Sequence, residues 1–204
     1  MNTLHAVRFI LKPLVFLICL VPFALVFTDA YGIGGTLGAN PIEATQDHFG
    51  EWGLRFILIT LTVTPLRKIS GLNWLIRFRR MLGLFAFFYI AMHFTVWLVL
   101  DQELLLSAIA EDIFERPFIT LGMLALTLLL AMAATSTASM RRRLGRRWQK
   151  LHYSIYVVGV LGVWHYWWQV KKDISEPLVY AAILAALLSY RLWDKQRDSG
   201  AKSK

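Results

Sequence analysis

At 204 residues, 57% of them hydrophobic and with a mean hydropathy of +0.52, the chain is too apolar for an ordinary soluble domain. Its formal net charge of +9 is accounted for by membrane topology and contact with anionic lipid, with no nucleic-acid partner required. The one cysteine, Cys19, lies inside an apolar run, which excludes an internal disulfide and a cysteine-ligated cluster.

Six segments meet the length that a hydrocarbon core of about 30 Å demands, roughly 20 residues of helix. In chain order they are predicted near Leu11–Phe27, Phe49–Leu66, Leu82–Leu100, Pro117–Ala134, Leu151–Val170 and Pro177–Trp193. Arg8 and Lys12 ahead of the first run resemble a signal peptide, but no small-x-small cleavage site follows, so the helix is read as retained. The second segment carries Glu51 and Arg55 in its first turns. No internal repeat and no linker long enough to separate domains is visible. The expectation is an all-α integral membrane protein, a bundle of six transmembrane helices forming a single domain over residues 1–204.

Charge orients this bundle. Arg67, Lys68, Arg77, Arg79 and Arg80 follow the second segment, and Arg141, Arg142, Arg143, Arg146, Arg147 and Lys150 follow the fourth. The alternate connections are acidic: Asp29, Glu43 and Asp47; Asp101, Glu103, Glu111, Asp112 and Glu115; Asp173 and Glu176. The positive-inside rule then puts both termini in the cytoplasm. The basic loops read first as topology determinants and lipid anchors. A sharper reading gives some of their arginines, Arg79 and Arg80 foremost, to haem propionates or a flavin phosphate, which guanidinium pairs bidentately.

Histidines at bilayer depth are expensive and need a partner. With this topology His93 lies roughly 18 Å into the membrane, and His165 lies roughly 21 Å beyond the start of its own helix. Two imidazoles at matched depth on two helices are what a bis-histidine haem requires, so His93 and His165 are the candidate axial ligands of a b-type haem. The bland alternative for each is a hydrogen bond to a neighbouring helix. His152, at the cytoplasmic edge of the fifth segment, is the weaker candidate, for a second haem, and the third segment offers no histidine at its depth. An ideal helix also turns it some 140° from His165. His48 is read as a solvated outer-loop histidine. Trp164, Tyr166, Trp167 and Trp168 are read mainly as an interfacial belt.

Several stretches together resemble a known family: Ile76 to Gly83, Thr135-Ser136-Thr137, Arg143 through Trp148 to His152, Asn40-Pro41 and His48-Phe49-Gly50. They look like the MsrQ (YedZ) family, haem-binding membrane subunits of the bacterial periplasmic methionine sulfoxide reductase system, within the wider group of ferric reductase-like transmembrane domains. The resemblance covers nearly the whole chain. It implies a multi-pass cytochrome of the bacterial inner membrane that takes electrons from the quinone pool or a cytoplasmic flavin reductase donor. It would pass them to a periplasmic molybdopterin-containing methionine sulfoxide reductase subunit, which holds the catalytic site and repairs oxidised envelope proteins. It also implies His93, His152 and His165 as ligands and suggests flavin mononucleotide (FMN), for which no residue signature is found. The wider group usually carries four ligating histidines on two helices, and this chain lacks the fourth. Rival readings are a transporter or proton channel using its histidines as a relay, a passive membrane anchor, and a ferric or oxygen reductase.

Overall fold

The regular elements that the computed structural model describes, over residues 3–33, 35–170 and 173–202, are all helices. A short helix α1 (Thr3–Ala6) passes through a π-helical turn (Val7–Leu11) into α2 (Lys12–Ala30). Then come α3 (Pro41–Ser70), α4 (Arg79–Val96) with a π-helical extension (Trp97–Asp101), α5 (Leu106–Glu115) and α6 (Pro117–Ala134). Two short basic helices, α7 (Ala138–Leu144) and α8 (Arg146–His152), lead into α9 (Ser154–Gln169) and α10 (Ser175–Lys202).

Every predicted apolar segment is therefore helical, but the six are not alike. Val7–Ala30, Arg79–Asp101 and Pro117–Ala134, of 24, 23 and 18 residues, are long and apolar enough to cross a membrane by length and composition. The other three fall short for separate reasons. Glu51, Arg55, Arg67 and Lys68 cut into α3, α9 has 16 residues, and α10 gathers Arg191, Asp194, Lys195 and Arg197 in its later turns.

Two boundaries differ from the sequence reading. Helix α3 begins at Pro41, well before Phe49, because Asn40 caps it. Asn40 Oδ1 accepts the Glu43 N–H at 3.3 Å while Asn40 Nδ2 donates to Glu43 Oε2 at 2.9 Å, a reciprocal cap with proline at the first helical position. The predicted fifth segment is also not continuous. Tyr153 stands between α8 and α9, and Tyr156 N bonds back three residues to Tyr153 O. That tighter turn interrupts the α ladder directly after His152.

Two compact units divide the chain: Met1–Ile57 with Arg77–Pro117, and Leu58–Ile76 with Phe118–Lys204. In the first, α2, the amino-terminal part of α3 and α4 bury Cys19, Val26, Phe49, Leu54, Phe56, Phe85 and Tyr89. Pro22 deprives α2 of one N–H, and the ladder beside it is completed from outside. The Tyr89 hydroxyl donates to Cys19 O at 2.7 Å and accepts the Phe23 N–H at 3.0 Å, standing between a carbonyl and the amide four residues on. The Tyr89 ring stacks on Phe56 at 5.2 Å. At the far end of α4, the Asp112 carboxylate accepts from Trp97 Nε1 at 3.0 Å and pairs with Arg116 at 2.9 Å, tying α5 to the π-helical turn.

The second unit repairs a proline in the same spirit. Pro65 has no N–H to offer Leu61 O, and Arg191 Nη2 of α10 donates to that carbonyl at 2.9 Å. The guanidinium also bonds Tyr156 Oη and lies 4.9 Å from its ring centroid. Leu61 on α3, Ile155, Val158 and Leu161 on α9 and Leu184 on α10 are all buried. Gly159 allows the close approach, since a Cβ there would lie 3.1 Å from Leu184 Cδ1.

Outside the apolar segments, Asp173 caps α10. Its carboxylate accepts the Ser175 hydroxyl and the Ser175 N–H, the latter at 2.9 Å, and these bonds, the side-chain one foremost, hold its pKa below the usual 3.8. Because the folded value is depressed, the cap's contribution is complete above the ordinary carboxylate value and is lost as pH falls through the lower, folded one. Amide exchange in the first turn of α10 is expected to speed up on such acidification, and Asp173→Asn should remove that acid-dependent part. An unchanged pH response in the variant would refute it.

Candidate functional site

The two histidines of matched predicted depth are held in the same way, each within its own unit. His93, near the carboxyl end of α4, places Nδ1 2.8 Å from the carbonyl oxygen of Gln46 on α3. His165, on α9, places Nδ1 2.7 Å from the carbonyl oxygen of Phe118 on α6. In both cases 47 residues separate the carbonyl from the ring. A carbonyl only accepts, so each Nδ1 must carry the proton, and the neutral imidazole keeps its lone pair on Nε2. That nitrogen is the one an imidazole offers to a metal when its other N–H is anchored to a backbone carbonyl.

A glycine stands one turn beyond each carbonyl. A Cβ built on Gly50 would lie 2.8 Å from His93 Nδ1 and 3.1 Å from its Cε1. Built on Gly122, it would lie 3.1 Å from both Nδ1 and Cε1 of His165. The Phe118 ring tilts against His165 at 5.7 Å. These close approaches are not among the features that the sequence reading singles out. Their available signal is a glycine, a poor helix former, inside an apolar helical run.

His152 is arranged differently. It ends α8, with Nε2 3.3 Å from Thr135 Oγ1 and its ring stacked on Trp148 at 3.9 Å. Thr135 spends its only hydroxyl proton on backbone carbonyls, closest at Ala131 O, 2.7 Å away, so it accepts from His152. Nε2 therefore carries a proton here, whereas in the other two rings the anchored proton is on Nδ1. Trp148 Nε1 donates to Thr135 O at 2.9 Å and closes this cluster. The break at Tyr153 also removes the basis for relating His152 to His165 by ideal helical rotation.

Arg79 is half-buried and Arg80 exposed, both in the first turn of α4. At 1.5 Å per residue they stand roughly 20 Å along the helix axis from His93. His48 is not a loop histidine. It lies within α3, because the Asn40 cap starts the helix earlier, and its Nε2 donates to Pro22 O at 2.9 Å. That bond fastens α3 to α2 beside the proline.

Among the described residues no group of three or more His, Cys, Asp or Glu side chains gathers as a chelating metal-ion site needs. What the chain does present, in each unit, is an imidazole on an apolar helix with Nδ1 anchored on a backbone carbonyl. Residues 49–163 match a class of membrane proteins, the family described as ferric reductase like transmembrane component.

Whole-chain relatives narrow the class. A protein-methionine-sulfoxide reductase heme-binding subunit MsrQ from Ralstonia nicotianae is 49% identical over 199 residues, covering 94% of this chain and 87% of the relative. Proteins of the same name from Xanthomonas euvesicatoria and Herminiimonas arsenicoxydans are 48% and 43% identical, covering 90% and 94% of this chain and 86% and 90% of their own lengths. The chain belongs to the MsrQ family of ferric reductase-like transmembrane proteins.

Proposed function

We propose that this protein is a b-type cytochrome of the bacterial inner membrane that delivers electrons to a periplasmic methionine sulfoxide reductase subunit. The observation that carries the reading is the pair of anchored imidazoles, His93 and His165, with Nδ1 bound to carbonyls and the lone pair on Nε2. Each of these imidazoles, with its Nδ1 anchored, has the chemistry of a nitrogen donor that would hold haem iron. When bound, the haem supplies one-electron chemistry. The chain's part is to orient both rings and to surround them with apolar helices. The relatives' names, which call them heme-binding subunits of a protein-methionine-sulfoxide reductase, support the same assignment.

In this reading all six helical segments span the membrane as one domain with both termini cytoplasmic, as the alternation of basic and acidic connections supports. The exposed Leu17, Ile18, Val21, Leu130, Val157 and Val179 then face lipid. Electrons come from quinone or a cytoplasmic flavin donor, and the acceptor is the molybdopterin-containing subunit that does the catalysis. Arg79 and Arg80, remote from His93 along α4, are assigned to a phosphate or propionate at the cytoplasmic side, such as that of FMN. His152 serves there as well, and ligation through Nε2 requires it to give up Thr135.

The test is a reduced-minus-oxidised absorption spectrum with quantitative haem content on the purified protein. A low-spin b-type spectrum is expected, and His152→Ala should leave the part due to His93 and His165 in place. A colourless protein produced with ample haem would overturn the assignment and favour a transporter or anchor.

A further inference from the structure

Two positions in the sequence do the same uncommon thing. On α3, Gly50 sits one turn after Gln46, and the His93 ring lies over that turn with Nδ1 on the Gln46 carbonyl. On α6, Gly122 sits one turn after Phe118, and the His165 ring lies over that turn with Nδ1 on the Phe118 carbonyl. A carbonyl inside a helix already accepts the N–H four residues on. A second donor reaches it only from the side, across the residue at that fourth position. A side chain there stands in the path of the incoming ring. Glycine in the middle of a helix is otherwise unfavourable by about 0.5–1 kcal/mol relative to alanine, so its use at both places calls for a reason.

We propose that Gly50 and Gly122 are positioning residues for the two histidines. By leaving the side of the helical turn bare, each lets an imidazole dock its Nδ1–H on an intrahelical carbonyl, which orients the ring and directs the Nε2 lone pair to the iron. The inference rests on the ligand reading of His93 and His165 given above. The hydrogen bond also raises the basicity of the ligating nitrogen, which favours the ferric state and lowers the midpoint potential. The two sites differ in tightness. At Gly50 the added Cβ would sit 2.8 Å from a ring nitrogen, closer than real Cβ atoms come, whereas at Gly122 the nearest approach is 3.1 Å, which a few tenths of an ångström would relieve.

The experiment compares Gly50→Ala and Gly122→Ala in the full-length protein with two packing controls. Gly53→Ala lies on the same helix as Gly50, but its Cβ would meet Ile90 Cδ1 at 2.3 Å, and Gly159→Ala would meet Leu184 Cδ1 at 3.1 Å. Each variant is read by midpoint potential, by the electron paramagnetic resonance g-values of the ferric low-spin signal, and by haem retention. Gly50→Ala is expected to raise the potential, change the g-values and weaken haem retention about 10- to 100-fold, the range for losing an outer-shell partner. Gly122→Ala should shift the same readouts in the same direction by less. The controls should lower thermal stability without moving potential or g-values.

A second readout needs no haem. Nitrogen-15 spectra of full-length protein labelled at histidine and prepared without haem should show His93 and His165 with the proton on Nδ1, and Gly50→Ala should release that preference at His93. Should the wild type prove unable to hold haem, the ligand reading falls while this tautomer measurement still decides the role of the glycines. Potential, g-values and tautomer unchanged in both glycine variants would overturn the proposal, and so would an equal change in the controls. If Gly50→Ala does not fold, the milder Gly122→Ala gives the answer alone.

Discussion

Replacing His93 or His165 with alanine is expected to abolish the low-spin haem signal assigned to this pair. Loss of an outer-shell partner alone weakens metal binding by about 10- to 100-fold, and removing the donor atom itself must exceed that. Either single variant should suffice if both imidazoles would hold the same iron, as proposed. His48→Ala is the informative comparison. It deletes another histidine on an apolar helix, but one whose Nε2 is committed to Pro22 O at 2.9 Å, so the spectrum should survive while stability falls. Absorption and electron paramagnetic resonance spectra on matched preparations check this. Retention of the full low-spin signal in His93→Ala or His165→Ala would remove that residue from the ligand set.

Tyr89→Phe should destabilise the protein by about 1–3 kcal/mol, the usual cost of stranding buried backbone groups. The ring and its stack on Phe56 remain, so the measurement isolates the hydroxyl. What is lost is the bridge between Cys19 O and Phe23 N, at 2.7 and 3.0 Å, beside the Pro22 gap. Hydrogen bonds between membrane helices average only about 0.6 kcal/mol, because the dissociated helices find other partners. Tyr89 should exceed that average, since it is fully buried and serves a donor and an acceptor at once. It also stands one turn before His93 on α4, so a loosened bridge should broaden the spectrum of a haem held there. Denaturant unfolding in detergent checks the first effect, and a midpoint equal to wild type would refute it.

The comparison of His93, His165, His152 and His48 shows how far residue type and position carry an argument. Depth along a helix is a matter of counting residues from a charged loop, so the sequence alone is enough to single out His93 and His165 as candidates. His48 lies in a helix and not in a loop because Asn40, Pro41 and Glu43 form a cap that starts α3 earlier. His152 was placed on a continuous helix because nothing in Leu151–Ser154 breaks one. The interruption at Tyr153 accompanies contacts made elsewhere, by Trp148 and His152 with Thr135. No internal repeat is visible in the sequence, yet Gln46 and Gly50 with His93 are matched by Phe118 and Gly122 with His165. The likeness resides in a backbone oxygen and a missing side chain, and a backbone carbonyl has no letter in a sequence.

By itself the sequence determined the solvent this protein occupies, its helical class and the basic and acidic alternation of its connections. Those properties are sums over many residues or distances along one helix, and local chemistry suffices for them. Only the tertiary structure decided which backbone carbonyls the imidazoles of His93 and His165 meet, how closely Gly50 and Gly122 approach those rings, and how the gaps at Pro22 and Pro65 are closed by Tyr89 and Arg191. Each of these is a contact between residues distant in the chain, and in an apolar surround an unmatched backbone group must find its partner wherever packing brings one.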